Sequence, residues 1–116
     1  MGFQRRLDKH LKAIYDKTRG KEIKAVRAYH CDNPSASIEY YSRAGPQALD
    51  QGIHELDLIS WLREGELPEE VFAYGFNTLP ELKGIVEDRC LVFLKFKNGG
   101  SFNLQMARDS VIQYVN

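Results

Sequence analysis

Apolar positions along this chain follow the helix period near its start and middle, and the strand period in its second half. Leu7, Leu11, Ile14 and Tyr15 recur at intervals of three and four, with Asp8 in front and Lys17, Arg19 and Gly20 behind, which predicts an amphipathic helix from Leu7 to about Arg19. From Glu22 to Cys31 a strand is expected that becomes more buried toward Ala28-Tyr29-His30-Cys31 and stops at Asp32-Asn33-Pro34. Ser35 to Pro46, rich in Ser, Gly and Pro beside Tyr40 and Tyr41, reads as a long ordered loop. Ala48 to Leu62 is a mostly apolar helix whose core-facing side is Leu49, Ile53, Leu56 and Ile59.

Beyond the break at Gly65 and Pro68, Glu70 to Phe76 resumes as a strand with Phe72, Tyr74 and Phe76 on one side, and a third strand runs from about Asp88 to Lys97. Lys97-Asn98-Gly99-Gly100 is a hairpin turn, because Asn and Gly accept positive φ, and it pairs Cys90–Phe96 with Ser101–Met106 antiparallel. Val111 to Val115 begins a further strand-like alternation, which would leave an unpaired sheet edge. The order of elements predicts an α+β fold: a mainly antiparallel open sheet with helices packed on one face.

At 116 residues, with 43% hydrophobic and 28% charged positions, the chain suits a single domain over residues 1–116 with one core. Sixteen basic residues balance sixteen acidic ones, so no net field favours nucleic acid or an anionic membrane. Arg5, Arg6, Lys9 and Lys12, interleaved with Asp8, read as a solvated helix face. Cys31 and Cys90 are far apart and lack zinc-site spacing, and there is no leader and no apolar run of about 18 residues. The expectation is a soluble, cytoplasmic protein without a metal.

Candidate chemistry gathers on the Ala48–Leu62 helix. At 3.6 residues per turn, Asp50, His54, Asp57 and Trp61 point within roughly 40° of one direction. Asp50 precedes His54 by one turn, the spacing of a carboxylate that orients an imidazole base. The same spacing also suits a His–Asp pair that merely satisfies its own polar groups at a surface. His54-Glu55 does not extend to a zinc-protease helix, since position 58 is Leu58, and three ligands on successive turns of one helix converge poorly on an ion. No glycine-rich phosphate loop and no nucleophile elbow is present, and neither cysteine sits by an obvious helix amino terminus that would activate it.

Gly2-Phe3-Gln4-Arg5-Arg6-Leu7-Asp8, Asp32-Asn33-Pro34, Leu49-Asp50-Gln51-Gly52-Ile53-His54-Glu55-Leu56-Asp57 with Trp61-Leu62, and Phe96-Lys97-Asn98-Gly99-Gly100 together resemble the glucose-fructose oxidoreductase, inositol dehydrogenase and rhizopine-catabolism (Gfo/Idh/MocA) family, most of all its inositol 2-dehydrogenase-like members. The resemblance implies the substrate-binding C-terminal domain of an NAD- or NADP-dependent oxidoreductase acting on a polyol or sugar. His54 would accept the proton of the alcohol, with Asp50 as its partner and a hydroxyl ligand, while Arg5, and more loosely Gln4 and Asn33, would line the polyol pocket. It also implies a homo-oligomer formed through the sheet. The family's Rossmann domain and its catalytic lysine, in a Glu-Lys-Pro segment, have no counterpart in this sequence. The chain is therefore expected to be an incomplete domain, inactive alone, with no cofactor-binding residue and no cofactor bound to it by itself. The competing reading is a non-catalytic module for sheet-mediated assembly or ligand binding. A small metal-dependent isomerase or hydrolase is a third.

Overall fold

The protein is described by a computed structural model covering residues 2–32 and 36–109. The chain starts with a 3-10 turn, Gln4–Leu7, and helix α1, Lys9–Thr18. Asp8 caps α1: its side chain accepts from the backbone N–H groups of His10 and Leu11, and these bonds hold its carboxyl below the usual carboxylate range. Strand β1, Ala25–Cys31, begins three residues later than Glu22. The expected loop from Ser35 to Pro46 instead holds helix α2, Ile38–Ala44. Ser37 caps it through the Tyr40 N–H, and Glu39 pairs with Arg43 one turn on at 2.8 Å.

The helix expected from Ala48 to Leu62 is two pieces. Ala48–Gly52 is a π-helical turn and Ile53–Leu62 is helix α3. The wider turn displaces Leu49 from the core-facing line, and it is 65% exposed, whereas Ile59 is buried and Leu56 packs against the core. Gly52 is where the π turn approaches the sheet: a Cβ there would lie 2.9 Å from Met106 Sδ. Helix α3 ends where Gly65, at φ +82°, donates its N–H to Ser60 O at 2.8 Å.

Strands β2, Glu70–Phe76, β3, Arg89–Lys95, and β4, Ser101–Ala107, complete a four-stranded sheet in the order β1-β4-β3-β2. Both the β2–β3 and the β3–β4 pairings are antiparallel, the latter through the expected turn, but β1 pairs parallel with β4. The fold is α+β as predicted, with a mixed sheet. Cys90, Val92, Leu94, Phe96, Phe102, Leu104 and Met106 face the helices and form the core with Ile59. Burial also raises the pKa of the Cys90 thiol. The opposite face is open: Tyr29, Phe72, Tyr74, Leu91 and Phe93 are exposed on it. Val111 to Val115 lie outside the described residues.

No helix among the described residues is long and apolar enough to cross a membrane.

Candidate active site

A cleft of about 390 Å³ opens where the end of β1 meets the π turn and α3. Strand β1 and the residue after it supply His30 and Asp32, α2 supplies Tyr40, the π turn supplies Asp50 and Gln51, and α3 supplies His54. Parallel pairing with β4 places His30 beside Met106, on the helix-facing side of the sheet along with Val26 and Ala28. An imidazole at the end of an apolar strand face thus enters the cleft wall. Gln51 is 5% exposed; its Oε1 accepts from Gln47 Nε2 at 2.7 Å and its own Nε2 has no partner among the described residues.

Two ion-pair clusters, each built on one buried charge, border the cleft. Glu55, with a side chain only 3% exposed, accepts from His30 Nδ1 at 2.7 Å and from Arg5 Nη1. A buried carboxylate requires partners of this kind, since an unpaired charge there would be strongly destabilising. Arg108, fully buried, donates from Nη1 to Asp50 at 3.1 Å, from Nη2 to Gly45 O at 2.5 Å and from Nε to Glu87 O at 3.2 Å. Its guanidinium lies 4.9 Å from the centre of the Tyr41 ring. The Tyr41 hydroxyl donates to Arg108 O and accepts from Ala36 N–H at 2.8 Å, and burial raises its pKa above the ordinary phenol value.

Asp57 lies outside this cleft, where Arg6 holds it through Nε at 2.9 Å and through Nη2; the carboxylate keeps the guanidinium protonated beyond its ordinary range. Tyr15 stacks on Trp61 beside this pair, with ring centroids 4.3 Å apart.

The sequence model of the GFO/IDH/MocA C-terminal domain matches residues 9–115, nearly the whole chain. The chain belongs to this family. A relative in Bacillus subtilis (strain 168), described as an uncharacterized oxidoreductase, YrbE, is 28% identical over 121 residues that span 98% of this chain and 35% of that protein. A probable dehydrogenase from Thermotoga maritima superposes with a TM-score of 0.82 at 28% identity, over 95% of this chain and 34% of that one. A putative myo-inositol dehydrogenase from Sinorhizobium meliloti 1021 gives 0.80 at 26% identity, over 94% and 34%. The chain thus spans about a third of the length of these relatives.

In this Gfo/Idh/MocA domain the two residues singled out on the central helix, Asp50 and His54, both reach the cleft. They share no hydrogen bond among the described residues: the π turn takes Asp50 off the straight line expected with His54, and Arg108 claims its carboxylate. Arg5 and Gln4 are not among the residues lining the cleft; Arg5 instead braces Glu55 and lies 3.4 Å from His30 Nδ1. Asn33 lies outside the described residues. The sequence does not single out Glu55, His30, Gln51 and Arg108, which the structure places at or beside the cleft. A histidine at position 30, in step with Val26 and Ala28 on the buried face, is the one local signal that could have been found; nothing adjacent to Arg108 points to Asp50.

No group of three or more His, Cys, Asp and Glu side chains among the described residues is arranged to hold a metal ion. Gly99 and Gly100, which might have suggested a phosphate loop, form the β3–β4 hairpin, and the space a Cβ would need at Gly100 is taken by Arg63.

Proposed function

We propose that this chain is the substrate-side domain of an NAD- or NADP-dependent oxidoreductase acting on a polyol or sugar, with inositol-like cyclitols as the first candidates. The observation that carries the reading is the cleft itself, which the imidazoles of His30 and His54 line together with the carboxylates of Asp32 and Asp50. Such a set suits an uncharged ligand rich in hydroxyls, each of which can donate to one group and accept from another. The names of the Bacillus and Sinorhizobium relatives, an oxidoreductase and a putative myo-inositol dehydrogenase, support the same class of reaction.

In this reading His54 takes the proton from the hydroxyl being oxidised, and Asp50, held by Arg108, accepts a hydrogen bond from a substrate hydroxyl. A positioned base of this type contributes about 10²–10⁴-fold to rate. Arg5 acts on the same pocket through Glu55 and His30, and Gln4 and Asn33 are proposed as further substrate-binding residues. The oxidation would also need NAD or NADP as hydride acceptor, held by a Rossmann domain rather than by these residues. The open sheet face, with Tyr29, Phe72, Tyr74, Leu91 and Phe93, is the surface through which copies would associate. The cytoplasm, where these cofactors are found, is the proposed location.

The test is to express the complete reading frame that contains this sequence and assay oxidation of a panel of cyclitols and sugars with NAD and with NADP. Turnover of at least one polyol is expected. A purified product that binds a polyol yet turns none over with either cofactor would favour the ligand-binding module.

A further inference from the structure

Two histidines line the cleft, and among the described residues only His30 has a carboxylate hydrogen-bonded to its ring. Glu55, on α3 directly after His54, points away from the cleft into the protein and accepts from His30 Nδ1 at 2.7 Å. An ionised carboxylate can only accept, so in the neutral ring the proton resides on Nδ1 and Nε2 carries the lone pair. Arg5 also approaches Nδ1, at 3.4 Å, and a guanidinium would prefer that nitrogen unprotonated. The carboxylate contact is much the shorter, and Arg5 is itself bonded to Glu55, so the Nδ1 proton prevails. His30 is mostly buried, with 19% of its side chain exposed, so its orientation is set by packing as well as by this bond.

We propose that His30 is a specificity-determining residue of the cleft, whose Nε2 accepts a hydrogen bond from a substrate hydroxyl other than the one His54 deprotonates. This inference rests on the function proposed above. A lone pair fixed in this way favours a hydroxyl donor. It offers nothing to a bare carboxylate or phosphate, which has no proton to give. Arg5 and Glu55 would then be positioning residues, acting through the imidazole and not by touching the substrate.

Ring nitrogen NMR shifts on the chain itself at pH 8 test the tautomer first. The Nδ1–H form is expected for His30 in the wild type, and an Nε2–H ring would overturn the inference. On the product of the complete reading frame, His30→Asn keeps a donor near the Nδ1 position for Glu55 and removes the acceptor at Nε2, whereas His30→Gln retains an amide near Nε2. The expected result with a polyol is a KM raised about tenfold in His30→Asn, a smaller rise in His30→Gln, and kcat in both within a few-fold of wild type. A cyclitol lacking the contacted hydroxyl should lose this discrimination between variants. If wild type oxidises polyols and His30→Asn does so with unchanged KM, the inference on His30 falls and the proposed function stands. If wild type turns over no polyol, the function falls with it, whatever the tautomer.

Discussion

At the scale of single residues, the buried charges decide most of what can be tested. Arg108 is fully buried and Asp50 is its anionic partner, so Asp50→Asn would leave a guanidinium without a counter-charge. A loss of the order of 3 kcal/mol in unfolding free energy is expected in urea titration, in addition to any effect on turnover. Asp88 is a second such group: it accepts from Thr78 N at 2.9 Å, from Thr78 Oγ1 at 3.1 Å and from Leu79 N, at the entrance to the 3-10 turn Pro80–Leu82. Asp88→Ala strands these donors and should cost about 1–3 kcal/mol by the same measurement. A result near zero for either would mean that water satisfies the orphaned groups. That Asp50 and His54 would lie near one another could be read from the sequence, because they are four residues apart in a segment that needs burial. The contacts behind Asp50 and His30 were not legible, since Arg108 is 58 residues from Asp50 and Glu55 is 25 from His30.

Elements differ in how much of their position is set locally. The β3–β4 hairpin was readable because its turn requires positive φ at Gly99 and its arms are adjacent, so period and turn chemistry agree. The parallel β1–β4 pairing was not, because the two strands are separated by most of the chain and no local pattern encodes a non-local partner. Helix α2 was mistaken for a loop although it carried a signal, Ser37 as cap followed by Glu39 and Arg43 one turn apart, which the neighbouring glycine and proline obscured. The π turn at Ala48–Gly52 had no signal beyond Gly52, whose fit against Met106 becomes visible only once β4 is in place.

Helix α1 offers the clearest prediction at this scale. None of its residues is buried, so its cap matters more than its packing. The folded-state pKa of Asp8 is lowered, so the stability that it contributes is complete above its ordinary value of 3.8 and is lost as the pH falls through the lower folded value. The difference in helical circular dichroism between wild type and Asp8→Ala should therefore be present at pH 6 and vanish toward pH 2. A difference that persists unchanged to pH 2 would contradict the capping role.

For the whole molecule, the sheet has one face committed to the core and one left open. Leu104 is 1% exposed on the committed face, and Leu104→Ala should destabilise the domain by about 2–5 kcal/mol. On the open face Phe93 is 37% exposed among other aromatic residues, so Phe93→Asp should leave stability nearly unchanged and weaken self-association in sedimentation. Equal sedimentation of the two forms would argue against association through this face. The cleft sits at the edge of the committed face, where His30, Asp32, Tyr40, Asp50, Gln51 and His54 supply polar groups.

The most direct measurement is the pH dependence of polyol oxidation by the product of the complete reading frame, with His54→Gln compared with wild type. A fall in kcat of about 10²–10⁴-fold is expected in His54→Gln, together with a changed pH profile. Wild-type turnover and an unchanged pH profile in His54→Gln would contradict the role proposed for His54.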